Sequence, residues 1–147
     1  MQILKDREII EDSFRHIADE EIVDGDNISV SLARWHQEKA QLQQHDGKVG
    51  VRLGSTDNIE SIADDLANIS LIELNFPVFT DGRLFSTAKL LRIRYGYQGE
   101  IRAIGQFMVD QVCYLSKIGV NAFQLHNEAQ LPLALAALDD FSVSYQA

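Results

Sequence analysis

Four polar side chains recur at equivalent places in four successive predicted strands. They are Arg52, Glu73, Arg102 and Gln124, and each lies at the alternating position opposite the apolar residues of its strand. If neighbouring strands pair in chain order, the four form a row across one face of the sheet. The two arginines could then hold an oxyanion, because guanidinium groups bind anionic oxygens through paired hydrogen bonds. Alternatively the row is a structural set of ion pairs, in which opposite charges make burial tolerable.

A second candidate site lies in the loop after the strand that ends at Phe76. Ligands on parallel α/β sheets bind at the carboxyl ends of strands, and this loop carries Asp81, Gly82 and Arg83. We expect a shaped corner, with the N-terminus of the following helix adding positive charge near Arg83. If φ of Gly82 is positive, Gly82→Ala should cost more than about 1 kcal/mol. Ser86 either donates to the same anion or caps the helix.

Candidates for catalysis are two carboxylates, Glu73 and Asp81, of which Glu73 would act as a general base if it were desolvated. Other residues expected at the carboxyl edge are Gly54, Ser55, Asn75, Gly105, Gln106 and His126. The histidines, which are His16, His36, His45 and His126, lack metal-ligand spacing. No serine has the glycine flanks of a nucleophile. The sequence therefore predicts no metal site, and leaves both a cofactor and catalysis open.

Two further arginines, Arg92 and Arg94, end a predicted helix on the opposite side of the sheet. Cations there complement the helix dipole, so we interpret both as solvated side chains at a helix end. Gly96 and Gly99 make the turn into the next strand. No phosphate-loop pattern with lysine and serine or threonine is present.

Composition narrows the class of protein. A net charge of -9 disfavours binding to nucleic acid or to an anionic membrane. Cys113 is the only cysteine, which excludes a disulfide framework and fits a reducing cytoplasm. The charged N-terminus lacks the apolar region of a signal peptide, and no apolar run approaches the roughly 18 residues that span a bilayer. We expect a cytoplasmic protein.

The chain is predicted to be one α/β domain, with an N-terminal hairpin segment in residues 1–27 and five βα repeats in residues 28–141. Within the repeats, Gly47 is expected to be a left-handed helix cap, and Asp57 with Glu60 to form a capping box. Residues 141–145 are expected to form a short edge strand. Helices of this length between strands imply a parallel sheet.

Two architectures are compatible with these repeats: a doubly wound sheet and an incomplete (β/α) barrel. Strands covered by helices on both faces are almost continuously apolar, yet here one face carries charges and amides in four strands. We therefore favour the half-type barrel, with helices on one face only. Its polar inner face would be closed by another copy or by the N-terminal segment, and we expect a homodimer.

A long motif of arginines, glycines and aromatic residues runs from Phe76 to Gln111. Its positions are Phe76, Pro77, Phe79, Asp81, Gly82, Arg83, Ser86, Ala88, Leu91, Arg92, Arg94, Gly96, Tyr97, Gly99, Glu100, Arg102, Ala103, Gly105, Asp110 and Gln111. At these positions the chain resembles a bacterial family named only as domain of unknown function number nine-three-four. The resemblance extends more loosely from the N-terminal hairpin to about Leu125. The chain departs from the pattern at Lys89, and at residues 117–120, where the family commonly has a cysteine.

The resemblance implies a pathway, because members of that family tend to be encoded beside assimilatory sulfite reductase and are often described as probable oxidoreductases of sulfite reduction. We therefore expect an accessory protein that binds an oxyanion or docks to the reductase. A small enzyme acting on a sulfur oxyanion is the alternative from another class, using Glu73 or Asp81 with the nearby arginines. A non-catalytic dimeric scaffold is the third.

Overall fold

An eight-stranded sheet forms the centre of the protein in a computed structural model, which describes residues 1–23, 25–77, 82–107 and 109–146, with side chains as far as 139. The strands are β1 (Gln2–Lys5), β2 (Glu8–Glu11), β3 (Arg15–His16), β4 (Ile28–Ser31), β5 (Val49–Leu53), β6 (Leu71–Phe76), β7 (Glu100–Gly105) and β8 (Ala122–Phe123). The α-helices are α1 (Leu32–Gln43), α2 (Arg83–Ile93), α3 (Val112–Lys117) and α4 (Leu131–Gln146), and 3₁₀ helices span Ile59–Asn68, Val109–Gln111 and Glu128–Gln130.

The strand order is β2-β1-β8-β7-β6-β5-β4-β3. Strands β3 to β8 are parallel and adjacent in chain order, while β1 pairs antiparallel with both β2 and β8. The sheet forms an open half-barrel with an N-terminal hairpin. The predicted incomplete barrel is therefore confirmed, and the doubly wound alternative is wrong.

The helices cover one face of the sheet, as the alternation of apolar residues predicted. Val51, Ile72 and Ile101 point into a core that also contains Trp35 of α1 and Leu91 of α2. Tight burial of such side chains, which are 0% exposed, contributes about 1.5–3 kcal/mol each. The apolar side chains on one face of the strands thus pack against the helices. The polar side chains, at the alternate positions, lie on the opposite face.

Residues 12–14 form a strap across that polar face, because they join β2 at one edge of the sheet to β3 at the other. A flat sheet of this many strands would be about 34 Å wide, whereas the link from Glu11 to Arg15 reaches at most about 14 Å. The sheet must therefore curl until its edges approach. The N-terminal segment, one of the two expected covers, closes the inner face.

Three details of the local predictions differ from the structure. The helix after β5 is a 3₁₀ helix capped by Asn58, whose side chain accepts from the amide of Glu60 at 2.9 Å. Asp57 instead accepts from Gly54 in the preceding turn, at 2.7 Å. Gly47 has no positive φ, so it is not a left-handed cap. Glycine fits there because a Cβ at this position would lie 2.5 Å from the carbonyl oxygen of Asp26.

The C-terminal segment also differs. Residues 141–145, expected to be an edge strand, continue helix α4. No glycine or proline follows Pro132, and extending an existing helix costs far less than starting a new element. Within the described residues, no helix combines the length and apolar character needed to cross a membrane.

Candidate functional site

Three of the four predicted polar residues lie side by side on the inner face. Arg52 is the register partner of Glu73, and Glu73 is the register partner of Arg102. Gln124 lies one side-chain repeat further along, because Ala122 is the partner of Arg102. The row was predicted correctly for the first three strands, and it is wrong for the fourth.

The charges of this row divide into two separate groups. The guanidinium of Arg52 donates to both carboxylate oxygens of Glu73, at 3.3 Å and 3.2 Å. Arg102 donates at 2.9 Å to Glu100 on its own strand and at 2.9 Å to Asp12 of the strap. The expected pairing of Arg102 with Glu73 is wrong, because each side chain has a nearer partner.

All three guanidinium nitrogens of Arg102 contact carboxylates of the protein. Its side chain is 2% exposed, and the ring of Phe14 lies 5.9 Å from its guanidinium carbon. Burial alone would lower the pKa of Arg102, but the carboxylates of Glu100 and Asp12 raise it above its usual value. Lys5 adds a second cation 3.1 Å from Glu100. These contacts make Arg102 a structural residue that attaches the strap to the sheet. They leave no side of its guanidinium open to an oxyanion.

The first group opens onto a cavity of about 290 Å³ between the strap and the inner face. The cavity is lined by Met1, Asp12, Phe14, His16, Arg52, Glu73 and Gln124. Three polar groups of this lining have no hydrogen-bond partner among the described residues: Nη1 of Arg52, Nε2 of His16 and the side-chain amide of Gln124. Polar groups that point to a cavity without protein partners are available to a ligand.

His16 is a member of this site that sequence reasoning missed. Its Nδ1 lies 2.9 Å from the hydroxyl of Ser29 and 3.9 Å from Glu73 Oε1. Burial, followed by the nearby charge of Arg52, lowers the pKa of His16 and keeps the ring neutral at pH 7. No spacing in the chain marks this residue, since Ser29 is its register partner on β4 and Glu73 lies on the more distant strand β6.

The loop favoured as the second site lies mostly outside the described residues, which exclude both Phe79 and Asp81. Gly82 is described, and its φ of -86° is open to any residue. Arg83 is the first residue of α2, and Ser86 lies a turn inside that helix rather than at its cap. The positive φ considered for Gly82 and the serine cap are therefore wrong, while the predicted corner as a whole lies outside the described residues.

At the carboxyl edge, Gln106 Nε2 lies 3.1 Å from His126 Nε2, and both residues belong to the exposed rim. The side chain of Asn75 lies beside Gly105, whose φ is 88° and where a Cβ would lie 2.5 Å from Asn75 Oδ1. Gly54 and Ser55 form the turn after β5. Among the described residues, no His, Cys, Asp and Glu side chains come together in a set that could hold a metal ion.

Two further motif residues, Arg92 and Tyr97, stabilise the end of the sheet at which the strands begin. Arg92 is not solvated as predicted: it donates to the carbonyls of Gly119, Tyr97 and Gly99, at 2.9, 2.8 and 2.8 Å. The Tyr97 hydroxyl donates to the carbonyl of Ile69 at 2.8 Å, and burial raises the pKa of Tyr97. These contacts tie α2 to the start of the following strands.

Arg94 agrees with the prediction, since it is exposed and stacks on Tyr95 with 5.7 Å from guanidinium carbon to ring centroid. Asp110 and Gln111 lie in the short 3₁₀ helix before α3. Asp110 lines a different cavity, with Phe107 and Leu133, so the motif residues do not form a single site.

Comparison with known protein families identifies a match over most of the chain. The family described as "Bacterial protein of unknown function (DUF934)" matches residues 50–147, which are two thirds of the chain. No curated protein matches the sequence. The match begins in β5, so Arg52, Glu73 and Gln124 of the cavity lie inside it, whereas the strap and His16 lie before it. The chain belongs to the bacterial DUF934 family, whose function is unknown.

Proposed function

We propose that this protein binds a small oxyanion in the inner cavity and acts as an accessory protein of assimilatory sulfite reduction. The observation that supports binding is that Arg52, His16 and Gln124 line one cavity, and that each has a polar group without a hydrogen-bond partner among the described residues: Nη1, Nε2 and the side-chain amide. The connection with sulfite comes from the family resemblance alone. The family description assigns no activity to its members.

The inner cavity is a better oxyanion site than the other arginines offer. Arg102 is buried between two carboxylates, and Arg92 donates to backbone carbonyls. Arg52 alone combines a 25% exposed side chain with a place in the cavity wall. The anion must be held by this local charge, because the net charge of -9 repels it at longer range.

The size of the cavity limits the ligand. A volume of about 290 Å³ corresponds to roughly ten water molecules at about 30 Å³ each. That space accommodates one sulfite, sulfate or phosphate ion with its remaining hydration. It is at the lower limit of pockets that enclose drug-sized molecules, and a dinucleotide would not fit without movement of the strap.

Thermal unfolding in the presence of sulfite, sulfate and phosphate tests the proposal. An anion at 100 times its Kd adds about 2.7 kcal/mol, which for a chain of this size is a rise in Tm of about 5–10 °C. Arg52→Met should abolish the rise, while Arg94→Met, at an exposed arginine, should keep it. The absence of any rise, or an unchanged rise in Arg52→Met, would refute an oxyanion site in this cavity.

A small enzyme remains the alternative, and one observation favours it. Glu73 Oε1 lies 3.9 Å from Nδ1 of His16, so a carboxylate and an imidazole, the two side chains most used as general bases, border the same cavity. Turnover of a sulfur oxyanion that is lost in Glu73→Gln but not in Glu60→Gln would support catalysis. Binding without turnover supports the accessory role.

Docking to the reductase, a homodimer and a cytoplasmic location stay predictions. The original reason for a dimer was an uncovered polar face, and the strap now covers that face. Sedimentation across micromolar concentrations checks the dimer directly. Co-purification with sulfite reductase, compared between wild type and Arg52→Met, separates docking from ligand binding.

A further inference from the structure

Glu73 has an unusual place for a site that would bind anions. Glu73 belongs to the cavity lining although its side chain is only 3% exposed, and Arg52 donates one hydrogen bond to each of its carboxylate oxygens. A carboxylate offers about four lone-pair sites. At least one acceptor position on Glu73 therefore remains for a ligand that carries a proton.

We infer that the cavity selects oxyanions that carry a proton and rejects those that cannot, with Glu73 accepting the ligand O–H. This inference rests on the proposed function, and it names the ligand class. The deprotonated oxygens of the ligand accept from Arg52 and Gln124. Phosphate and hydrogen sulfite belong to the accepted class, and sulfate, which carries no proton near neutral pH, belongs to the rejected class.

The charges around Glu73 support this selection. On β5 Arg52 is its cation, on β3 His16 is neutral, and on β7 Arg102 is already paired with two other carboxylates. The strap adds Asp12, whose oxygen accepts from Arg102. The N-terminal amine of Met1, which also belongs to the lining, pairs with Glu11. An anion without a proton would compete with Glu73 for Arg52 and be repelled by the carboxylate, whereas a ligand O–H forms a charge-assisted hydrogen bond with it.

Calorimetric titration with inorganic phosphate and inorganic sulfate, at equal ionic strength and near-neutral pH, is the first test. We expect phosphate to bind at least about tenfold more tightly than sulfate, which corresponds to about 1.4 kcal/mol. Equal affinities would overturn the selection and leave the oxyanion site intact. If neither ion nor sulfite binds, the proposed function itself fails.

The pH dependence of sulfite binding is a second test. Hydrogen sulfite loses its proton as the pH rises through neutrality, whereas phosphate keeps one. Affinity for sulfite should therefore fall between about pH 6 and pH 8 more steeply than affinity for phosphate. His16 enters both profiles equally, because the same ring borders the cavity whichever ion is titrated. Parallel pH profiles for the two ions would contradict the inference.

Glu73→Gln tests the residue itself. The glutamine amide can donate to sulfate, and the variant no longer has the carboxylate that accepts the ligand proton. The preference for phosphate over sulfate should therefore fall to within about threefold. Glu60→Gln, at an exposed position of the 3₁₀ helix, should keep the wild-type preference. A folded Glu73→Gln protein that retains the tenfold preference would assign selection to another group, and the wild-type titrations decide the inference if that variant does not fold.

Discussion

The buried arginine of the strap offers the sharpest test of how this fold is held closed. Replacing Arg102 by methionine removes the cation shared by Asp12 and Glu100, whose side chains are 9% and 6% exposed. Losing one partner of a buried ion pair costs about 3–5 kcal/mol, because the remaining charge stays buried without compensation. Glu100 keeps Lys5 at 3.1 Å, so the lower part of that range is expected.

The compensating change identifies the true partner. Asp12→Asn or Glu100→Gln in the Arg102→Met background should recover part of the loss, since each removes an orphaned charge. Glu73→Gln should recover none, because the partner of Glu73 is Arg52. This outcome is opposite to the one expected from strand register alone.

Urea unfolding measures these differences. With a slope of about 2 kcal/mol per M, a loss of 3 kcal/mol lowers the midpoint by about 1.5 M. The methionine variant should also become more accessible at the strap, so amide exchange in residues 12–16 should accelerate. A loss below about 1 kcal/mol, or recovery by Glu73→Gln, would refute the assignment of these ion pairs.

Three further predictions can be checked by the same unfolding measurements. Arg92→Met should cost about 2–3 kcal/mol through three lost charged hydrogen bonds, whereas Arg94→Met should stay within about 0.5 kcal/mol; similar losses would contradict the distinction. Gly82→Ala should be neutral or slightly stabilising, whereas Gly105→Ala should cost at least about 1–3 kcal/mol because φ there is 88°; the reverse order would be evidence against both conformations. Burial lowers the pKa of His16 in the folded state below the unfolded value of about 6.5, so folding favours the neutral ring. Wild type should therefore lose more stability than His16→Gln as the pH falls below about 6.5. Equal dependence of stability on pH in the two proteins would show that the ring is not desolvated.

Local pattern alone determined the architecture. The apolar parity of β5, β6 and β7 faces the helices, and the polar parity faces inward. Such alternation is incompatible with helices on both faces, which is why a half-barrel could be recognised without coordinates. The placement of Arg52 and Glu73 on the same face followed from the same periodicity, and the register of β5 with β6 makes them direct neighbours.

Other features depended on contacts between distant parts of the chain. Residues 12–14 have no pattern of their own, and their path became visible only when β2 and β3 were found at opposite edges of one curled sheet. That path brought Asp12 to Arg102 and His16 to Glu73. The sequence predicted the polar face and two possible covers for it, and the tertiary structure shows that the N-terminal segment covers it.

Arg92 and Arg94 were both predicted to be solvated, and they differ in the structure for the same reason. Arg92 and Arg94 both end α2, yet only Arg92 faces the carbonyls of Tyr97 and Gly99, because the helix turns by about 100° per residue. Which of two neighbouring side chains meets a partner depends on how the helix docks. Composition and periodicity thus determined the layers of this protein, whereas the tertiary structure decided which charges meet and where a cavity remains.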